Sequence, residues 1–168
     1  FKKAGIVRVD TSSELMDLFE AVSLQRLPKG NRLLIITNAG GPGVMATDYL
    51  IRQGGKLAEL TEGTINKLNG FLPHFWPHAN PVDLLGDAAD DRYAMAFDVL
   101  LKDENVDAIL VLLTPQAMTK STKTAAALVE KAKNSGKPVL ASWMGQGMVE
   151  DGRNVLIKGG IPVYDTPE

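Results

Sequence analysis

The sequence predicts an α/β domain, doubly wound around a mostly parallel sheet. Three observations predict it. Short apolar runs alternate with amphipathic stretches of ten residues or more, the pattern of βαβ units. The runs Arg32–Thr37 (RLLIIT) and Ala108–Leu113 (AILVLL) show no polar alternation, so both of their faces must be covered. Glycines and prolines punctuate the junctions between runs.

Each element can be justified in order. Thr11 and Glu14 form the capping box T-x-x-E, and Leu15, Leu18, Phe19 and Val22 then recur at helical spacing. Pro28-Lys29-Gly30 is a turn. Arg32–Thr37 is a buried strand by its length and isoleucine content. Gly40-Gly41-Pro42-Gly43 breaks it, and a helix is predicted over residues 42–52, closed by Gly54-Gly55. Residues 56–60 read as a short second strand. Thr61 caps the next helix, with Leu60 and Ile65 placed as a hydrophobic staple. Residues 70–88 are the least regular stretch. Pro73, Pro77 and Pro81 fix backbone angles there, and Gly86 restores freedom. A short strand over residues 80–84 fits inside it.

Tyr93, Phe97, Leu100 and Leu101 mark a further helix. Ala108–Leu113 is the most apolar strand. Residues 119–134 read as a helix whose Ala125, Ala126 and Ala127 allow close packing. Strands are predicted over residues 138–142 and 161–164. Between them lies a helix over residues 148–158, closed by Gly159-Gly160. Residues 1–29 form a lead-in segment with one helix, and residues 30–168 the doubly wound domain.

Composition narrows the function classes. The chain has 168 residues, 45% hydrophobic and 23% charged, which is ordinary globular usage and excludes collagen-like and disordered classes. A net charge of −2 offers no basic face to nucleic acid or to an anionic membrane. The absence of cysteine excludes a disulfide scaffold, a cysteine nucleophile and a thiolate metal site, and it fits a cytoplasmic setting. No apolar run reaches the roughly 18 residues of a membrane span. The start Phe1-Lys2-Lys3 lacks a signal-peptide core. Thr166-Pro167-Glu168 reads as an N-cap, a proline at the first helical position and an acid in the first turn. That ending announces a further helix and suggests a piece of a longer polypeptide.

In an open parallel sheet, ligands bind beyond the carboxyl ends of the strands. Three loops therefore carry the candidate chemistry. In Thr37-Asn38-Ala39-Gly40-Gly41-Pro42-Gly43, glycines allow a close approach of backbone, and free N–H groups at a helix start favour an anion. A tight βα turn without a ligand is the plainer alternative. Gly41-Pro42-Gly43-Val44-Met45-Ala46 also fits the dinucleotide pattern G-x-G-x-x-G/A, with Glu59 as a candidate ribose acid placed slightly early. In the second loop, residues 113–119, Thr114 and Gln116 can hydrogen-bond phosphate oxygens. The third, residues 142–147, sets Trp143 beside two glycines; an exposed indole would suit an interface, a buried one the core.

His74 and His78 stand four apart, but Pro73 and Pro77 argue against the helix that a metal pair would need. A surface loop packed by Phe75 and Trp76 is the better reading, and no metal site is expected. Asp83 either binds loop N–H groups or sits near a phosphate. Asp87, Asp90 and Asp91 mark a solvated helix start. No G-x-S-x-G elbow, Walker A lysine or H-E-x-x-H is present, and no residue is an obvious nucleophile.

The segment Ile35-Ile36-Thr37-Asn38-Ala39-Gly40-Gly41-Pro42-Gly43-Val44-Met45-Ala46-Thr47-Asp48 resembles the glycine-rich segment of the nucleoside-diphosphate-forming acyl-CoA synthetases. These are the ADP-forming acetyl-CoA synthetases, related to succinyl-CoA synthetase. Asn80-Pro81-Val82-Asp83-Leu84, residues 105–111 and Lys137-Pro138-Val139-Leu140-Ala141-Ser142-Trp143-Met144-Gly145 continue the match in order. So does the ending from Gly160 to Glu168, and the resemblance covers essentially the whole chain.

The resemblance implies the second flavodoxin-like, succinyl-CoA synthetase-like domain of a multi-domain enzyme. Its neighbours would be a CoA-binding domain, a domain bearing a phosphorylated histidine, and an ATP-grasp domain or subunit. The implied reaction is acyl-CoA + ADP + phosphate ⇌ carboxylate + CoA + ATP, with Mg2+, through acyl phosphate and phosphohistidine. In that family the phosphohistidine lies between helix N-termini of two flavodoxin-like domains. The implied phosphate-binding set here is Asn38, Ala39, Gly40, Gly41, Gly43, Thr114 and Gln116, with helix starts at Gly41-Pro42-Gly43 and Pro115-Gln116. Residues 1–29 hold no histidine, and neither His74 nor His78 matches the phosphorylated motif. Catalytic residues are therefore expected on another domain. A synthetase-like regulatory domain of a protein lysine acetyltransferase and an independent dinucleotide-binding domain remain the alternatives.

Overall fold

The computed structural model describes residues 7–168; the start Phe1-Lys2-Lys3 lies outside the described residues. The elements run α1 (Ser12–Leu24), β1 (Arg32–Thr37), α2 (Gly40–Arg52), β2 (Lys56–Leu57), α3 (Glu62–Asn69), β3 (Val82–Asp83), α4 (Asp90–Leu100), β4 (Ala108–Leu113), α5 (Ser121–Ala132), β5 (Val139–Trp143), α6 (Glu150–Lys158) and β6 (Val163–Tyr164). All six strands are parallel, in the order β2-β1-β4-β5-β6. β3 lies off this path and shares β1's outer edge with β2. The doubly wound α/β class read from the runs is the class observed.

Handedness explains the layers. Crossovers between parallel strands are right-handed. The step from β1 to β2 runs one way across the sheet, and the steps through β4, β5 and β6 run the other way. α2 therefore covers one face while α4, α5 and α6 cover the opposite one. Leu34, Ile36, Ile109, Val111, Leu113, Val139, Ala141 and Trp143 point into the large core beneath α3 to α6. Ile35, Leu110 and Leu112 alternate with them and pack on Ala46 of α2. Among the described residues no helix is long and apolar enough to cross a membrane.

The shared edge of β1 accounts for a short second strand. β2 pairs at Arg32 and Leu33, and β3 pairs at Ile36 and Thr37. Between them the Asn80 side chain completes the ladder. Its Oδ1 accepts from Ile35 N at 3.0 Å, and its Nδ2 donates to Leu33 O at 2.8 Å and Ala58 O at 3.0 Å. The strand expected over residues 56–60 stops at Leu57 because an amide side chain takes over the edge there.

Other boundaries shift for local reasons. α2 begins at Gly40, two residues before the expected start. α5 begins at Ser121 because Thr119 Oγ1 accepts from Gln116 N at 3.0 Å and holds residues 116–119 in a turn. α6 starts at Glu150, after a single 3-10 turn over Gln146–Met148. The last strand contracts to Val163–Tyr164, since Pro162 has no N–H to give a ladder.

α1 forms as its cap predicts, with Thr11 Oγ1 accepting from Glu14 N at 3.1 Å. The Glu14 carboxylate departs from a strict capping box and accepts from Asp10 N at 2.7 Å. None of α1's residues is buried, and Leu15, Met16, Phe19 and Val22 are exposed. Two side chains tether it to the sheet. Gln25 donates to Gly160 O and accepts from Val139 N, and the Tyr164 hydroxyl donates to Asp17 O at 3.2 Å.

Candidate functional site

β1 leads through α2 to one side of the sheet, and β4 leads through α5 to the other. The carboxyl ends of β1 and β4 therefore flank the topological switch point, where open α/β sheets bind ligands. Asn38 and Thr114 are the first residues past these two strands. Asn38 is 1% exposed. Its Nδ2 donates to Thr114 O at 2.8 Å, and its Oδ1 accepts from Thr114 N at 2.9 Å and Thr114 Oγ1 at 3.1 Å. Thr37 Oγ1 accepts from Ala39 N at 3.0 Å and donates to Ala39 O at 2.8 Å. These groups bond to one another, and Asn38 Nδ2 also reaches Thr119 Oγ1 at 3.5 Å. They shape the mouth.

The open donors come from Gly40 and Gly41. Both are exposed and form the first turn of α2. The first N–H groups of a helix have no partner inside it, and Ala39, the N-cap residue, supplies no side-chain acceptor. Pro42 has no N–H. Gly43 sits differently from the expectation. It is buried, its N–H reaches Ala39 O at 3.4 Å, and an added Cβ would lie 3.2 Å from Thr37 Cγ2 and 3.6 Å from Pro81 Cβ. It lets α2 press against β1, so its glycine is explained by packing.

Gln116 is exposed beside Thr114, with Nε2 3.4 Å from Thr114 Oγ1. The helix start expected at Pro115-Gln116 lies at Ser121 instead, so that loop offers side chains to the mouth and no helix end. The third loop closes the edge. A Cβ on Gly145, at φ 128°, would run into the Pro115 ring. Trp143 is 1% exposed and belongs to the core.

The edge also carries Asp83, which binds a loop N–H group as expected, and two features that the sequence did not signal, the buried Tyr93 and the left-handed Leu85. Asp83 Oδ1 accepts from Leu85 N at 2.8 Å, and Oδ2 lies 3.5 Å from a Cβ placed on Gly40. A carboxylate thus stands beside the start of α2. Tyr93 is wholly buried beneath it and donates to Leu112 O at 2.8 Å. Burial, together with the charge of Asp83, pushes that phenol well above its ordinary range. Leu85 (φ 70°) and Gln146 (φ 49°) hold left-handed backbone in two of the loops at this edge. Such strain concentrates at functional sites. Nothing in the residue type of Leu85 foretells it.

Exposed apolar side chains follow the polar elements at this edge: Val44 and Met45 on α2, Met118 before α5, and Met148 after β5. Arg92 pairs with Asp87 at 2.6 Å, and Lys120 with Asp90 at 3.6 Å. No group of three or more His, Asp or Glu able to hold a metal forms among the described residues.

The remaining candidates fall elsewhere. Glu59 is exposed and its carbonyl accepts from Asn105 Nδ2 at 3.0 Å. Gly41-Pro42-Gly43 lies within a helical turn, so the dinucleotide reading loses its strand-to-helix loop. His74 and His78 lie in the irregular loop before β3; Trp76 packs that loop at 1% exposure, whereas Phe75 is 65% exposed. At the opposite, amino end of the sheet a cleft of about 780 Å³ opens beside Arg32, Asp107 and Lys137. Its floor is an ion pair, Arg32 Nε to Asp107 Oδ2 at 2.8 Å. Burial pushes the Lys137 ammonium down, against the pull of Asp103 and Asp107.

Comparison with known proteins fits this architecture. The alpha subunit of an ADP-forming acetate–CoA ligase II from Pyrococcus furiosus is 42% identical over 173 residues, covering 100% of this chain and 37% of that subunit. A solved dinucleotide forming acetyl-coenzyme A synthetase 1 of Ca. Korarchaeum cryptofilum, in complex with phosphate and ADP, superposes with a TM-score of 0.92 at 36% identity, covering 99% of this chain and 36% of that one. A crystallised protein of Pyrococcus horikoshii OT3 gives a TM-score of 0.93 at 38% identity, covering 100% and 39%. The chain thus spans well under half the length of these relatives. The model of the Ligase-CoA domain matches residues 33–167. That match runs from the second residue of β1 past the last strand, and the chain belongs to the Ligase-CoA domain family.

Proposed function

We propose that this chain is the second flavodoxin-like domain of an ADP-forming acyl-CoA synthetase. The whole enzyme would convert acyl-CoA, ADP and phosphate to carboxylate, CoA and ATP in the cytoplasm, with Mg2+. The observation that carries this reading is the uncapped first turn of α2, held at the switch point by the Asn38–Thr114 clamp. A site that offers N–H groups and no nucleophile suits a phosphoryl group borne by a neighbour. Family relatives named as ADP-forming acetate–CoA ligases support it, as does a structural neighbour solved with phosphate and ADP.

In this reading a histidine of the adjoining domain carries the phosphoryl group to the mouth between β1 and β4. Gly40 and Gly41 donate their N–H groups to its oxygens, where a helix start favours negative charge. Gln116 adds a side-chain donor from the opposite lip. Asn38 and Thr114 keep the two lips at a fixed separation, so little reorganisation accompanies the transfer. Val44, Met45, Met118 and Met148 give the partner domain an apolar rim that excludes water. Asp83 stands beside the start of α2 and limits the negative charge the mouth accepts. The CoA-binding and ATP-grasp units supply the remaining substrates.

The test is Gly40→Pro in the full-length synthetase. Proline is favoured at the first helical position, and Ala39 already has the extended backbone (φ −149°, ψ 124°) that precedes proline. The substitution removes one N–H and spares the fold. Turnover should fall by about 10- to 100-fold, with an unchanged thermal midpoint. Full activity of a folded Gly40→Pro enzyme would overturn the reading.

A further inference from the structure

The loop between α3 and β3 contains a histidine whose two ring nitrogens both face oxygen. His78 Nδ1 is 2.8 Å from Asn69 Oδ1, and His78 Nε2 is 3.1 Å from His74 O. A main-chain carbonyl only accepts. The orientation of the Asn69 amide is fixed by a third group, because Trp76 Nε1 donates to the same Oδ1 at 2.9 Å. An indole N–H is a donor only, so the amide cannot turn its NH2 toward it.

We propose that His78 is a proton-operated clasp on the loop of residues 71–79. Neutral imidazole has one N–H and one lone pair, and against two acceptors it makes one bond. Imidazolium has two N–H groups and makes both. The clasp is complete with the proton bound, and one strand of it opens when the proton leaves.

Two further groups adjoin the ring. The imidazole lies on the Trp76 indole, with centroids 4.8 Å apart and planes tilted by 43°; an indole face attracts a cation. Asn69 is the last residue of α3, and a helix carboxyl end attracts one too. The charged group on the last turn of α3 is Lys67. The titratable group on the loop itself is His74, whose ring stands edge-on to Phe75 with centroids 4.9 Å apart. His78 has no ion-pair partner among the described residues.

The clasp constrains a left-handed residue, since His78 has φ 55°. It also sets how the loop presents Phe75, which is 65% exposed one residue before a Trp76 that is 1% exposed. The same loop runs directly into Asn80, which closes the edge of β1. A proton on His78 therefore governs the order of a segment that displays an aromatic ring to solvent, between two fixed anchors.

The experiment is amide and indole NMR of the full chain between pH 5 and 8. The Trp76 indole N–H should move with the titration of His78. Exchange of the amides of residues 74–79, corrected for intrinsic rates, should speed up by about three- to fivefold as the ring loses its proton. His74→Asn keeps the carbonyl that the clasp uses, so the pH dependence should persist. His78→Gln should abolish it. Protection of residues 74–79 that stays constant across the range in the unsubstituted chain would overturn the proposal. So would a pH dependence that survives His78→Gln.

Discussion

The side chain of Asn38 prolongs the β1–β4 ladder by one rung. Its amide exchanges bonds with both the N–H and the carbonyl of Thr114 at 2.9 and 2.8 Å, as a backbone peptide would. Two loops that would otherwise splay at the carboxyl edge are thereby joined by one buried residue.

Asn38→Ala should leave the Thr114 N–H and carbonyl unpaired. Each unsatisfied buried group costs about 1–3 kcal/mol. We expect a loss of about 2–4 kcal/mol in denaturant unfolding, and a thermal midpoint lower by roughly 5–10 °C. A loss under about 1 kcal/mol would mean that the loops hold each other without it.

Gly41 and Gly43 should separate cleanly. A Cβ on Gly41 meets nothing within 4 Å, whereas one on Gly43 meets Thr37 and Pro81. Gly41→Ala should therefore leave stability unchanged or slightly raised. Gly43→Val should cost about 1–3 kcal/mol through overpacking, so any activity it loses reports on packing first. Parallel melts of the two variants check the contrast.

The acid limb should trace Asp107. The hydrogen bond from Arg32, with bonds from its guanidinium at 2.8 and 2.9 Å, holds this carboxyl at about 2 against the cost of burial. A depressed carboxylate contributes stability in full above its unfolded value, near 4, and loses it as pH falls toward 2. Asp107→Asn should flatten the stability profile between those values. It should cost about 1 kcal/mol at neutral pH, where solvent around Arg32 screens the pair. Urea unfolding at pH 2, 3, 4 and 7 reads both effects.

The alkaline limb should trace Tyr164. Burial, with Glu20 and Asp17 nearby, pushes its phenol up to about 12. The neutral hydroxyl donates to Asp17 O, so its contribution is intact below about 10 and disappears as pH rises through 12. Tyr164→Phe should remove that limb. It should also speed amide exchange along α1 while β1 and β4 stay protected, since α1 buries none of its residues. Hydrogen exchange by mass spectrometry resolves the two regions.

The strands that were easiest to read are those whose composition alone demands burial. Arg32–Thr37 and Ala108–Leu113 match to the residue because all but their first one or two positions are buried between covered faces. The glycine-rich turn was legible as the junction between β1 and α2, but Gly43 was not separable from Gly40 and Gly41. Only the third dimension shows that Thr37 and Pro81 crowd one and that solvent meets the others. Spacing 15–18–19–22 correctly marked a helix, yet periodicity says nothing about whether a partner surface is present. Tyr93 of α4 comes to lie beneath Asp83, which ends β3 two residues before Leu85, and neither stretch carries a sign of that meeting.

The borders of the sheet have a consequence for how this protein behaves in concentrated solution. One side ends on β2 and β3 and the other on β6, and each of these is two residues long. An incoming extended peptide needs a row of open amides to dock as an extra strand, and neither flank supplies a long one. The Asn80 amide removes the last gap in the ladder along β1. Strand-by-strand polymerisation is thus blocked at both ends by brevity, with Pro81 and Pro162 directly preceding β3 and β6.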